Sequence, residues 1–167
     1  MKKTKLLAIT SLFAALITVT TAYICHIPIG SGGGYFHLGD TLIYLSAVIL
    51  PKPYALAAAI IGSGTADLLT APLWIIPTVI IKSLICISFT EKSKKIICPR
   101  NLIALVLGIF ITVTGYYLAE AVLVSNFTSP IISIVGNLLQ SILSGMLFLI
   151  IAHFADKKQL KTNIFKS

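Results

Sequence analysis

The cations of this chain divide it into membrane crossings. Lys2, Lys3 and Lys5 precede the first long apolar run, and Lys52 lies between the second and third. Lys92, Lys94, Lys95 and Arg100 lie between the fourth and fifth, and Lys157, Lys158, Lys161 and Lys166 follow the sixth. The intervening breaks, at 26–37, 70–74 and 125–130, carry no Lys or Arg. Cationic loops stay cytoplasmic, so the alternation predicts six spans with both termini inside the cell. The expected fold class is an all-α integral membrane protein of the cell membrane. It is a single six-helix domain over residues 1–167, with spans at about 5–25, 38–50, 54–70, 74–89, 102–124 and 131–154. Helix 2 is short, and the first outer loop is rich in glycine.

Composition narrows the function. Charged residues make up 11% of the chain, against about 25% in soluble domains. Six spans of about 20 residues leave no room for a soluble catalytic domain. The net charge of +8 fits anionic inner-leaflet lipids. No folded basic face exists for nucleic acid, so that partner is excluded. Cys25, Cys86 and Cys98 have no metal-type spacing and read as apolar filler. Neither a metal nor a cofactor is expected, and no catalytic group. The N-terminal lysines and apolar stretch have signal-peptide character. The run continues to Cys25 and five more spans follow, so it reads as a retained first helix.

The polar groups within the spans are the candidates for function. Counted from the outer ends, Asp40 lies about two residues in, Asp67 three, Glu120 four, Asn137 six and Gln140 nine. Tyr116 and Lys82 lie near mid-membrane. The inner half holds almost nothing ionisable, whereas an ion pathway needs polar groups through the full thickness. This distribution describes a cup open to the outside. Thr112, Tyr116 and Glu120 share one face of span 5, and Ser133, Asn137, Gln140/Ser141 and Ser144 share one face of span 6. A charge at the bilayer centre costs at least ~3 kcal/mol. Lys82 therefore needs Asp67, Asp40 or Glu120 as a partner. Asp67–Lys82 is the expected structural pair, welding helices together.

Above the cup, residues 27–37 carry four glycines followed by Tyr35, Phe36 and His37, a composition suited to a lid over a ligand. The expected substrate contacts are Tyr35, His37, Asp40, Tyr116, Glu120, Asn137 and Gln140. Small residues also form two stripes. Ala8, Ser11, Ala15, Thr18 and Ala22 follow one face of span 1. Ala58, Gly62 and Ala66 recur in span 3, with Ala55, Ala59 and Ser63 beside them. Small faces let helix backbones approach closely in lipid. The span 3 stripe suits packing within the bundle. The span 1 stripe suits either that or docking onto another membrane protein.

Several motifs together resemble a known family. They are Gly34-Tyr35-Phe36-His37-Leu38-Gly39-Asp40 before an apolar helix, Pro51-Lys52-Pro53, Gly62, Ala66-Asp67, Pro72, Trp74 and Ile81-Lys82. With six spans and an outer-half pocket, the chain resembles the substrate-binding (S) components of energy-coupling factor (ECF) vitamin transporters. It is most similar to those of the hydroxymethylpyrimidine, pyridoxine and riboflavin types. The resemblance implies capture of a small heteroaromatic vitamin by this chain. A transmembrane (T) component and two ABC ATPases would then supply the energy. It also implies a docking motif, Ala-x-x-x-Ala, on the first helix. Here the match is Ser11-x-x-x-Ala15, which with Ala8 forms the candidate partner-docking face. The rival reading is a small oligomeric secondary transporter or channel. The lack of inner-half charges and of internal repeats weighs against it.

Overall fold

The computed structural model describes residues 3–24, 27–29 and 34–162, with the backbone alone for 27–29 and 34–36. Among the described residues there are six α-helices: α1 Lys3–Ala22, α2 Asp40–Ile49, α3 Lys52–Thr70, α4 Ile75–Ser88, α5 Pro99–Leu123 and α6 Ile131–Lys157. A 3₁₀ turn, Pro72–Trp74, leads into α4. Prolines punctuate the starts. Pro51 caps α3 with Pro53 in its first turn, Pro99 opens α5, and Pro130 caps α6. Proline's missing N–H is harmless at these positions. The first expected span runs on to Cys25, which lies outside the described residues; α1 ends at Ala22.

The glycine-rich segment adds one feature to the helical expectation. Ile27–Ile29 (β1) and Gly34–Phe36 (β2) form a two-stranded antiparallel hairpin, with Ile27 opposite Phe36 and Ile29 opposite Gly34.

The short helix α2 is the hub. It packs against α1, α3, α4 and α6, and nearly all of its side chains are buried. The remaining contacts run α3 to α4 to α5 to α6 around it, with α1 laid on the outside of α3. Tyr44 of α2 stacks on Phe89 at 5.1 Å and meets the edge of Phe148 of α6 at 5.9 Å, forming the aromatic centre of the core.

The small face of α3 is consumed in packing: Ala55, Ala58, Ala59, Gly62, Ser63 and Ala66 are all buried. A Cβ at Gly62 would lie 2.7 Å from Ile17 and 2.9 Å from the Ala14 carbonyl, so glycine sets the approach of α1. Thr18 seals that crossing by donating to the Gly62 carbonyl at 3.0 Å. The stripe on α1 does not act as one face. Thr10, Ala14, Ile17, Thr21 and Ala22 are buried, while Ala8, Ser11 and Ala15 are exposed. A seven-residue repeat drifts about 20° per heptad on a straight helix, which carries the stripe from the exposed side into the packed one.

Much of the remaining exterior is apolar. Phe110 is 66% exposed and Ile132 72%, whereas Asp40, Lys82, Thr112 and Ser144 are fully buried. Among the described residues, α1, α5 and α6 are long and apolar enough to cross a membrane, and α2 and Pro72–Ser88 are shorter apolar helices. Polar groups inside and apolar groups outside mark a protein of the bilayer.

Candidate functional site

The buried polar groups converge at one level. Lys82 lies seven residues into α4, Tyr116 seven from the end of α5, and Gln140 nine into α6. At 1.5 Å per residue each is ~10–14 Å from the same end of the bundle. Asp40 is the first residue of α2 and sits at this depth with them. Its carboxylate lies 2.6 Å from the Lys82 ammonium, both side chains being wholly buried. The expected partner of Lys82 was Asp67; the structure gives it Asp40. Residue counting placed Asp40 near the surface because it could not register how deep α2 begins. Asp67 is also buried, on α3.

Gln140 ties this pair to the hairpin's root. Its Nε2 donates to Asp40 Oδ2 at 3.2 Å, and its Oε1 accepts the His37 backbone N–H at 3.1 Å. Expected as a substrate contact, Gln140 has both ends of its amide committed to the start of α2. The His37 ring is also occupied, since Nδ1 accepts the Gly39 N–H at 3.1 Å. A Cβ at Gly39 would collide with the Thr21 hydroxyl, so α1 packs directly against this turn. Thr41 completes the junction by donating to the Ser144 carbonyl at 3.0 Å.

On the other side of the pair, the Lys82 ammonium lies 5.1 Å from the centre of the Tyr116 ring. The Tyr116 hydroxyl is 3.1 Å from Thr78 Oγ1, and its ring is 5.7 Å from that of Trp74. Trp74, Thr78 and Lys82 recur every fourth residue. That spacing was the signal available in the sequence for including Trp74 and Thr78 in the site. Glu120 is buried one turn beyond Tyr116 on the same face of α5. Asn137 is half-buried one turn outward from Gln140. Tyr35 lies in β2, opposite Pro28, and its side chain lies outside the described residues.

The arrangement has the chemistry of a binding site. A cation, a carboxylate and an amide lock one another at its floor. Two aromatic rings, Tyr116 and Trp74, adjoin this group, and a second carboxylate, Glu120, and a second amide, Asn137, lie one turn outward. An apolar groove of about 410 Å³ between α4 and α5 contains none of these polar groups. Its lining, including Ile80, Leu84, Leu118 and Val122, belongs to the apolar exterior.

Two comparisons bear on what such a site serves. The family model for the ECF-type riboflavin transporter, S component, matches residues 1–157. A protein of Pyrococcus woesei described as "Uncharacterized protein in gap 3'region" is 30% identical over 131 residues, covering 74% of this chain and 87% of that protein.

Proposed function

We propose, on the premise that this chain belongs to the family of ECF-type riboflavin transporter S components, that it captures a small heteroaromatic vitamin or precursor. ECF S components are substrate-binding subunits of transporters and not enzymes. The finer reading is a hydroxymethylpyrimidine- or pyridoxine-like ligand, with riboflavin within range. The chain crosses the membrane six times as one domain, with both termini cytoplasmic, and the T component and two ABC ATPases drive release. The face formed by Ala8, Ser11 and Ala15 docks the membrane partner; its exposure on α1 supports this.

The observation that carries the proposal is the polar level beneath the hairpin. Asp40, Lys82 and Gln140 occupy one another there, which leaves recognition to the walls. A planar ring stacks on Tyr116 beside Trp74, while Glu120 and Asn137 take its polar edge. His37 and Tyr35 close over it from the hairpin. Asp40 and Gln140 then position the lid and floor.

Trp74 is the chain's one tryptophan, so its fluorescence reports directly on this site. Titration with hydroxymethylpyrimidine, pyridoxine and riboflavin should give saturable quenching by one of the three. Mass spectrometry of the purified protein should recover the same class of compound. No saturable response to any of them, with no heteroaromatic retained, would remove this reading of the ligand.

A further inference from the structure

The end of the bundle opposite the polar site carries a second built feature. The connection between α4 and α5 is pinned to its neighbours by side chains. Asn101 accepts the Thr90 N–H at 2.8 Å and donates to the carbonyls of Thr90 and Ile96 at 3.2 and 2.9 Å. Asp156 of α6 accepts the N–H groups of Ile96 and Ile97 at 2.7 and 2.9 Å. Lys161 donates to the carbonyls of Glu91 and Ser93 at 2.7 and 2.8 Å. Asn101 and Lys161 are buried. A loose surface connector satisfies its backbone with water; here a buried amide, a buried lysine and a half-buried carboxylate do so instead.

This fixed segment presents cations outward. Lys92, Lys94 and Lys95 are exposed, joined by Arg100 at the start of α5 and by Lys157 and Lys158 at the end of α6. The acids at this end do not offset them: Glu91 faces Lys52 at 3.8 Å, and Asp156 is bound to backbone. Along the membrane from the cations, the exterior turns apolar, with Ile103 58% and Phe154 58% exposed. Fixed positive charge bordering an apolar wall matches an anionic head on an acyl chain.

We propose that this platform is a binding site for an anionic phospholipid. The headgroup phosphate sits among Lys92, Lys94, Lys95 and the cations of the α5 and α6 ends, and an acyl chain lies along the exterior of those two helices. A lipid fits better than a partner protein because the exposed small-residue face lies elsewhere. That face is on α1, which packs on α3 and α2, whereas α5 packs on α4 and α6. The proposal rests on the reading of the chain as an S component only in taking this end as cytoplasmic.

The test uses the full chain in phosphatidylcholine nanodiscs and compares motional restriction of spin-labelled phosphatidylglycerol with that of spin-labelled phosphatidylcholine. It needs neither vitamin nor partner, so it stands or fails apart from ligand capture. The parent protein should prefer phosphatidylglycerol. The triple variant Lys92→Gln, Lys94→Gln, Lys95→Gln should lower the preference by at least about twofold. Asp156→Ala separates a built site from bulk charge. It keeps every cation and adds one net positive charge, so bulk attraction predicts a stronger preference and a scaffolded site a weaker one. Asn101→Ala, on α5, leaves the net charge unchanged, so bulk attraction predicts an unchanged preference and a scaffolded site a weaker one; Trp74 fluorescence melts confirm the fold of each variant. An unchanged preference in the triple variant or in Asn101→Ala, or an unchanged or raised one in Asp156→Ala, overturns the proposal. So does loss of T-component capture in the triple variant with lipid preference intact, which would assign the patch to a protein partner.

Discussion

Replacing Lys82 by Met should destabilise the fold by about 3–4 kcal/mol. The substitution keeps most of the side-chain volume, so it removes the charge without adding a large cavity. Asp40 is fully buried. Without the ammonium at 2.6 Å, it keeps the 3.2 Å hydrogen bond from Gln140. Breaking a buried pair by removing one partner costs about 3–5 kcal/mol. Proton uptake sets a ceiling: keeping a carboxyl neutral at pH 7 costs about 1.4 kcal/mol per unit over roughly three units, or about 4 kcal/mol. Thermal unfolding in detergent, followed by Trp74 fluorescence, should show a midpoint lower by roughly 10 °C, at about 2–4 °C per kcal/mol. Adding Asp40→Asn should restore at least half of the loss, because no buried carboxylate then lacks a cation. A midpoint within about 2 °C of the parent, or a double variant no better than the single one, would refute the claim that this pair is the structural weld.

Three further outcomes follow from the site and its orientation. Glu120→Gln and Asn137→Ala should each weaken ligand binding about tenfold, or ~1.4 kcal/mol, with melting unchanged; unaltered affinity in both would move the site off α5 and α6. Leucine at both Ser11 and Ala15 should abolish co-purification with the T component while vitamin titration stays at parent affinity. Cysteine at Ser129 should react with an impermeant reagent on whole cells and cysteine at Ser93 should not. The Lys161 contact to residue 93 uses the backbone carbonyl and survives that change.

What could be read from the sequence was mostly what depends on neighbours along the chain. The apolar runs, broken at Pro51, Pro72, Pro99 and Pro130, mark where α3, the turn before α4, α5 and α6 begin. That Lys82, Tyr116 and Gln140 share a level was legible, because each sits about seven to nine residues from an outer end; that Asp40 joins them was not, because its count of about two placed it near the surface. Nor was the pairing within that group legible. Asp67 and Asp40 have nearly equal counts, and only the packing of α2 among α1, α3, α4 and α6 sets Asp40 against Lys82. Gln140 was legible as polar but not as spent, since its partners are a backbone N–H at His37 and a carboxylate about a hundred residues away. Asp156 carries no signal of its own in the sequence, and Lys161 is legible only as one of the cations after the sixth apolar run. Their bonds to backbone depend on where the connection between α4 and α5 folds back.

The short second helix explains why a site has to form where it does. Ten residues make ~15 Å of helix, about half of a ~30 Å hydrocarbon core. The contact between Asp40 and Lys82 fixes the start of α2 ~10 Å below the beginning of α4. The chain from β2 to α2 must therefore descend into the bilayer without helical hydrogen bonds. Non-helical backbone at that depth is tolerated only inside protein or against a polar cavity. Backbone groups on this descent find partners: β2 pairs with β1, the His37 N–H reaches Gln140, and the Gly39 N–H is taken by the His37 ring. The acid in the first turn of α2 suits the positive end of the helix dipole and brings a negative charge that Lys82 must balance. In the proposed binding mode, the same shortening leaves the ligand's place beyond α2, toward the Tyr116, Glu120 and Asn137 end of the bundle. A full-length second helix would fill that space with apolar side chains, and the polar walls would face nothing. The proposed cup thus follows from where α2 begins, and Gln140 and Lys82 are what make beginning there physically possible.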